Sequence, residues 1–104
     1  MAEFHKIARV GDLAPGEVNV YEVEGHRVAL CNVEGEFHAI EDVCTHDGAP
    51  LAHGRFRGEE VICPRHGARF NVKTGAALCM PAFEPVETYP VKVEGNDILV
   101  EVDL

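Results

Sequence analysis

Two short cysteine–histidine pairs constrain this chain more than any other feature of its sequence. The first is Cys44-Thr-His46, and the second, after sixteen intervening residues, is Cys63-Pro-Arg-His66. Glycine and proline surround both pairs and disfavour helix there. Thiolates and imidazoles are common ligands of zinc and iron, so each pair makes sense only if the fold brings the two together. The sequence therefore predicts one metal centre built from two loops.

The overall composition is that of an ordinary folded domain. The 104 residues suffice for one domain, with 46% hydrophobic and 26% charged residues. Nine basic and 18 acidic residues give a net charge of −9, so we expect no nucleic acid or anionic membrane as partner and favour a basic protein surface. We find no signal-peptide or membrane-spanning pattern, and therefore expect a cytoplasmic protein with reduced thiols.

Several segments alternate apolar and polar residues with a period of two, which indicates β-strands. Residues 96–103 show it clearly, with Ile98, Val100 and Val102 on one face. Other segments rich in β-branched and aromatic residues predict strands at 17–23, 26–33, 36–40 and 86–93. Helical candidates are confined to short turns near residues 11–13 and after Cys44.

Turn signals separate the predicted strands. Val-Glu-Gly occurs at 23–25, 33–35 and 93–95, each time between apolar runs, and predicts hairpin turns. Pro90 interrupts a strand-like run, and its missing amide predicts an edge strand or a bulge.

Charge divides the chain into three parts. Residues 1–40 carry seven acidic and three basic side chains, residues 73–104 carry six and two, and residues 41–72 carry five and four. The nearly balanced middle segment contains both cysteine–histidine pairs. We therefore predict a single domain, 1–104, with base strands in about 1–40 and 73–104 and a metal-binding insertion at about 41–72.

Two kinds of metal centre fit the four candidate ligands. A tetrahedral Cys2His2 zinc site is one, although zinc sites usually group like ligands together in sequence. One ligand of each kind per loop favours instead a two-iron centre, in which one iron takes both thiolates and the other takes both imidazoles.

The sequence around the pairs resembles that of Rieske proteins. CTHDGAPLAHG at 44–54 and CPRHGARF at 63–70 are similar to their two cluster-binding loops, and LCMPAFEPVETYPVKVEGNDILV from Leu78 is similar to their third loop and final strands. The likeness covers nearly the whole chain. It implies an all-β Rieske iron–sulfur fold, an antiparallel β-sandwich or barrel base with an inserted cluster-binding subdomain, and one [2Fe-2S] cluster as cofactor.

The same resemblance implies roles for individual residues. Cys44 and Cys63 would bind the buried iron, and His46 and His66 would bind the exposed one. The other residues expected around the cluster are Gly48, Arg65, Gly67, Ala68, Phe70 and Pro81.

Four positions differ from the high-potential Rieske proteins of respiration and photosynthesis. Those proteins have a disulfide between the positions of Ala49 and Arg65, and they carry hydroxyl donors at the positions of Ala68 and Phe70. Because hydrogen bonds to the cluster sulfurs stabilise the reduced state, their loss predicts a potential near the low end of the Rieske range, roughly −150 mV.

These features together predict a soluble, monomeric one-electron carrier that is not itself an enzyme. By resemblance, its partners would be a flavin-dependent ferredoxin reductase and the terminal oxygenase of an aromatic ring-hydroxylating dioxygenase. Three alternatives remain open: the small Rieske subunit of an assimilatory nitrite reductase, a structural zinc-binding Cys2His2 domain, and an accessory electron donor in iron–sulfur assembly or another biosynthetic pathway.

The remaining cysteines and histidines are predicted to be structural. Cys31 lies in an apolar strand and is expected in the core. Cys79 and Met80 are expected to pack beside the third loop. The histidines without ligand spacing are expected at the surface or in strands, with His53 the one closest to the cluster loops in sequence: His5, His26, His38 and His53.

Overall fold

The computed structural model describes residues 2–43, 51, 55–63, 67–78 and 84–103, which form ten β-strands and one 3-10 helix, Val10–Asp12. The strands are β1 (Ala2–Arg9), β2 (Val18–Val23), β3 (His26–Val33), β4 (Glu36–Glu41), β5 (Arg55–Arg57), β6 (Glu60–Ile62), β7 (Arg69–Asn71), β8 (Thr88–Tyr89), β9 (Val91–Glu94) and β10 (Asp97–Asp103). The described residues contain no α-helix, and none of their helices could cross a membrane. The predicted all-β class is confirmed.

The strands form three antiparallel sheets. A three-stranded sheet has the order β1-β10-β9, and a four-stranded sheet has the order β2-β3-β4-β8. The third sheet, β5-β6-β7, lies between β4 and β8 in sequence and falls within the predicted insertion. We call the first two sheets the base and the third the cluster sheet.

The strand β3 is buried along most of its length because apolar clusters lie on both of its faces. One cluster joins it to the three-stranded sheet, and the other joins it to the cluster sheet. The first contains Ala8, Leu13, Val23, Val28, Leu30, Ala39, Ile98, Val100 and Val102. The second contains Ala29, Cys31, Val33, Ile40, Leu51, Val61, Cys63, Ala68, Phe70, Val72 and Val86.

The predicted hairpins are present. Val23 pairs with His26, and Val33 pairs with Glu36, so each of these turns has two central residues. The third turn lies one residue later than expected, because Glu94 still belongs to β9 and pairs with Asp97.

The single strand predicted over 86–93 is wrong. Pro90 divides it into β8, which pairs with β4, and β9, which pairs with β10. Proline has no amide to donate, but its carbonyl oxygen accepts a bond of 2.9 Å from the Glu101 amide. The chain thus passes from one base sheet to the other at Pro90.

Four strands were not predicted from the sequence. In β1 the alternation is broken by a register shift between Lys6 and Ala8. The three strands of the cluster sheet have three residues each, which is too short for a period of two to be recognised.

Candidate functional site

The second predicted loop is a hairpin between β6 and β7. Cys63 directly follows β6, and Ala68 directly precedes β7. The Cys63 amide donates to the Ala68 carbonyl oxygen at 2.7 Å, and the Gly67 amide donates to the Cys63 carbonyl oxygen at 3.1 Å. These bonds fix the two ends of the CPRHGA stretch against each other.

Gly67 is required by the backbone of this hairpin. Its φ is +76°, a conformation that side chains with a Cβ rarely adopt. A Cβ added here would meet no atom of the described residues within 4 Å. Nothing in the described part of the chain packs closely enough to require a glycine, so its φ is the reason for it.

The thiol of Cys63 lies inside the protein, with 1% of the residue exposed, and is not in a disulfide. It belongs to the second group of buried apolar residues, the one that joins β3 to the cluster sheet. Sulfur in a closed hairpin, shielded from water, fits the role of a thiolate ligand to the inner iron of a [2Fe-2S] cluster. The described part of the donor set therefore fits the cofactor.

Ala68 and Phe70 are fully buried in the same apolar cluster as Cys63. Neither side chain carries a hydroxyl group, so neither can donate a hydrogen bond to a nearby sulfur. This part of the site is apolar, as the sequence predicted.

The third predicted loop begins and ends beside β7 and the turn that follows it. The Leu78 amide donates to the Arg69 carbonyl oxygen at 2.7 Å, and the Val86 amide donates to the Gly75 carbonyl oxygen at 2.8 Å. Phe70 also forms an isolated β-bridge with Ala77. These contacts bring the flanks of the third loop close to the Cys63 hairpin.

All the other predicted site residues lie outside the described residues. They are Cys44, His46, Gly48, Arg65, His66 and Pro81, together with Ala49, His53, Cys79 and Met80. Among the described residues, no group of three or more histidine, cysteine or acidic side chains could hold a metal. Three of the four predicted ligands fall in the remaining segments.

Asn71 organises the turn after β7, a role that was not predicted from the sequence. Its Oδ1 accepts bonds from the amides of Lys73 and Thr74, at 2.8 and 3.2 Å. Its Nδ2 donates to Glu59 Oε1 at 2.8 Å. This hydrogen bond, followed by the charge of Lys73, lowers the pKa of Glu59. The local signal was an asparagine just before a Thr-Gly turn.

Lys73 connects the cluster sheet to the base. Its Nζ lies 3.5 Å from Glu59 Oε2, on the turn between β5 and β6, and 3.9 Å from Glu36 Oε1, in β4. These side chains are partly exposed, so each pair contributes little free energy. The contacts nonetheless mark where the two parts meet.

The structural predictions for the remaining described cysteine and histidines are confirmed. Cys31 is fully buried, and burial, followed by the negative charge of Asp42, raises the pKa of its thiol to about 12. His5, His26 and His38 lie in β1, β3 and β4. The ring of His26 packs edge-on against Tyr89, with ring centroids 6.0 Å apart.

Comparison with known proteins gives a consistent result. Residues 3–90 match the family model described as the Rieske [2Fe-2S] domain. The chain is 43% identical over 98 residues to the ferredoxin component of biphenyl 2,3-dioxygenase from Rhodococcus jostii (strain RHA1), an alignment that covers 94% of this chain and 92% of the relative.

Solved structures share the fold. The ferredoxin of carbazole 1,9a-dioxygenase from Nocardioides aromaticivorans IC177 is 36% identical, with a TM-score of 0.90 over 93% of this chain and 95% of its own. A chain in the complex of reduced oxygenase and oxidized ferredoxin in carbazole 1,9a-dioxygenase is 33% identical, with a TM-score of 0.88 over 93% of this chain and 91% of its own. The expectation of a Rieske fold with a [2Fe-2S] cofactor is confirmed, and the chain belongs to the Rieske [2Fe-2S] domain family.

Proposed function

We propose that this protein is a one-electron carrier that passes electrons from a flavin-dependent ferredoxin reductase to a terminal oxygenase. The observation that carries the proposal is the closed hairpin with the buried Cys63 thiol at its root, in a chain similar along most of its length to dioxygenase ferredoxins. The two relatives compared above belong to biphenyl and carbazole systems. The substrate class of the oxygenase is therefore aromatic, without one named compound.

The proposed ligands are Cys44 and Cys63 for the inner iron and His46 and His66 for the outer iron. A bound [2Fe-2S] cluster supplies the ability to accept and release one electron at a time. Gly67 allows the backbone to turn directly after His66. We assign Gly48, Arg65 and Pro81 to the immediate surroundings of the cluster.

Side chains beneath the hairpin keep water out and offer no hydroxyl donor. Ala68 and Phe70 are fully buried next to Cys63 in the chain's apolar interior. Because fewer hydrogen bonds to sulfur leave the reduced state less stabilised, we propose a potential in the low part of the Rieske range.

The comparisons support a role as a component of a larger oxidoreductase system. We propose further that the chain has no catalytic site of its own, that it works as a monomer in the cytoplasm, and that residues 41–72 form the cluster-binding insertion. A diffusing carrier needs access to two partners in turn, which a small separate protein provides.

The other functions are less supported. A nitrite reductase subunit would share the Rieske domain, but the relatives compared above are dioxygenase ferredoxins. A zinc domain would use the same four side chains without redox chemistry. The role of accessory donor in another pathway differs only in the partner.

Analysis of the purified protein for iron, acid-labile sulfide and zinc tests the cofactor. We expect two irons and two sulfides per chain and a rhombic reduced-state EPR signal averaging near g of roughly 1.9. Cys63→Ser should abolish this signal, whereas Cys31→Ala, in the same apolar cluster, should retain it. One zinc and no sulfide would refute the proposal.

A second measurement tests the partners. The cluster-loaded protein is mixed with the reductase and terminal oxygenase of a biphenyl dioxygenase system, and single-turnover reduction is followed optically. We expect reduction by the reductase and reoxidation by the oxygenase. A cluster-loaded protein that neither partner reduces or oxidises would refute the pathway while leaving the cofactor assignment intact.

A further inference from the structure

A buried carboxylate stands at the end of β4, just before the first predicted cluster loop. The side chain of Asp42 is 0% exposed, and its Oδ2 lies 2.9 Å from Nη2 of Arg27. The Arg27 side chain is 57% exposed, so its charged group faces water while its partner does not. Asp42 was not among the residues predicted to surround the cluster.

Main-chain bonds hold Asp42 at the same place. Its amide donates to the Arg27 carbonyl oxygen at 2.9 Å, which extends the pairing of β3 with β4 by one step. The Val43 amide then donates to the Glu41 carbonyl oxygen at 2.8 Å. Both the backbone and the side chain of Asp42 are therefore bound to Arg27 of β3. Asp42 itself lies two positions before Cys44 in the sequence.

The buried position of the Asp42 carboxylate lets its charge influence groups inside the protein. It contributes, after burial, to the raised pKa of Cys31. Cys31 belongs to the same apolar cluster as Cys63. A charge within the protein is screened by salt much less than a charge on its surface.

We propose that Arg27 and Asp42 are positioning residues of the cluster site: Arg27 fixes the Asp42 carboxylate, and this fixed negative charge holds the reduction potential down. The proposal rests on the proposed function, because it assigns Cys44 and Cys63 as ligands. It adds a cause for a low potential that is independent of Ala68 and Phe70.

The direction follows from charge. Reduction adds one electron, so the site becomes more negative by one unit, and a nearby carboxylate disfavours that change. Arg27 opposes the effect only in part, because its exposed group is screened by water and ions. Removing the buried carboxylate should therefore raise the reduced-to-oxidised ratio at a given applied potential by roughly threefold. This ratio corresponds to about 30 mV for one electron.

Asp42→Asn tests the charge while retaining the shape and an oxygen that accepts from Arg27. We expect the midpoint potential of the cluster-loaded variant, measured by spectroelectrochemistry, to rise by about 30 mV. Asp97→Asn is the matched control, since it removes the same charge from an exposed pair with Lys6 at 3.3 Å. An unchanged potential in Asp42→Asn, or an equal rise in both variants, would overturn the proposal.

Two further measurements separate this effect from a structural one. The shift in Asp42→Asn should persist at high ionic strength, and Arg27→Lys, which keeps the cation, should leave the potential close to that of the unaltered protein. If Asp42→Asn does not fold, the double variant Arg27→Gln/Asp42→Asn replaces it, with a smaller rise expected and no rise counting against the proposal. A failure of the proposed function is distinct, since the unaltered protein would then contain no iron or sulfide.

Discussion

The amide of Val86 donates a hydrogen bond of 2.8 Å to the carbonyl oxygen of Gly75 and so ties the chain after the third predicted loop to the turn after β7. Gly75 has a φ of +79°, and a Cβ there would collide with the Val86 carbonyl group. The Gly75 amide is also used, since it donates to the Asn71 carbonyl oxygen at 2.7 Å. This contact depends on a residue without a side chain.

Gly75→Ala should therefore destabilise the protein. The left-handed backbone costs about 1–2 kcal/mol for alanine, and the collision adds about 1–2 kcal/mol, so we expect a loss of roughly 2–4 kcal/mol in urea unfolding. Gly58→Ala is the matched control, because Gly58 has a φ of +62° and its added Cβ has no atom of the described residues within 4 Å. Equal losses in the two variants would show that the contact with Val86 carries no cost.

Asn32→Ala should also lower the free energy of unfolding. Asn32 is 4% exposed, its Nδ2 donates to the Leu13 carbonyl oxygen at 2.8 Å, and its Oδ1 accepts from the Gly35 amide at 2.7 Å. Removing the side chain leaves both backbone groups without this partner, at an expected cost of about 2–4 kcal/mol. Urea unfolding measures this loss in the free energy of unfolding. Asn19→Ala is the control: Asn19 is exposed in β2, so its replacement should change stability little.

Phe70→Tyr should raise the midpoint potential of the cluster. Phe70 is fully buried with Cys63 in one apolar cluster, so a hydroxyl added to its ring should donate to sulfur and stabilise the reduced state. Spectroelectrochemistry measures the shift, and Phe37→Tyr, on the side of the other apolar cluster, should leave the potential unchanged. A potential that does not rise in Phe70→Tyr would show that the ring edge does not reach a ligand sulfur.

Cys31 should make the protein less stable as the pH rises above 9.0. Its thiol has a pKa of about 12 in the folded protein against 9.0 ordinarily, because burial, followed by the charge of Asp42, disfavours the thiolate. Between these values the unfolded chain has lost the proton and the folded protein has kept it, so unfolding becomes easier with increasing pH.

Cys31→Ala tests this dependence. The unaltered protein should lose up to roughly 1.4 kcal/mol per pH unit more than the variant does in that window. Urea unfolding at several pH values above and below 9.0 measures the difference. Parallel curves for the two proteins would contradict the prediction, whatever their absolute stabilities.

Much of the base could be predicted from local patterns. The β3 strand was predicted with its observed bounds, because Glu-Gly turn signals bound it on both sides and its centre is apolar. The division at Pro90 was only partly anticipated. A missing amide predicts an irregularity, but only the approach of β10 decides that the chain changes sheets there.

The candidate site shows the same division. The CPRHGARF stretch indicated a ligand loop, because thiolate, imidazole and glycine at these spacings are chemically specific. The turn bonds of Asn71 had a local signal, but its bond to Glu59 and the pairing of Asp42 with Arg27 could not be predicted, since both join residues on different elements.

The sequence by itself determined the chemical identity of the site, because metal ligation depends on residue type and short spacing, and both are local properties. It also determined the all-β class through the period of its apolar residues. Only the tertiary structure decided how Cys63 is enclosed and which residue holds the buried Asp42 carboxylate. The Cys63 thiol is buried by residues of β3 and β4 as well as of the cluster sheet, and the Asp42 carboxylate is held by Arg27 of β3. The free energy of burying apolar surface arises only when these separate strands pack together.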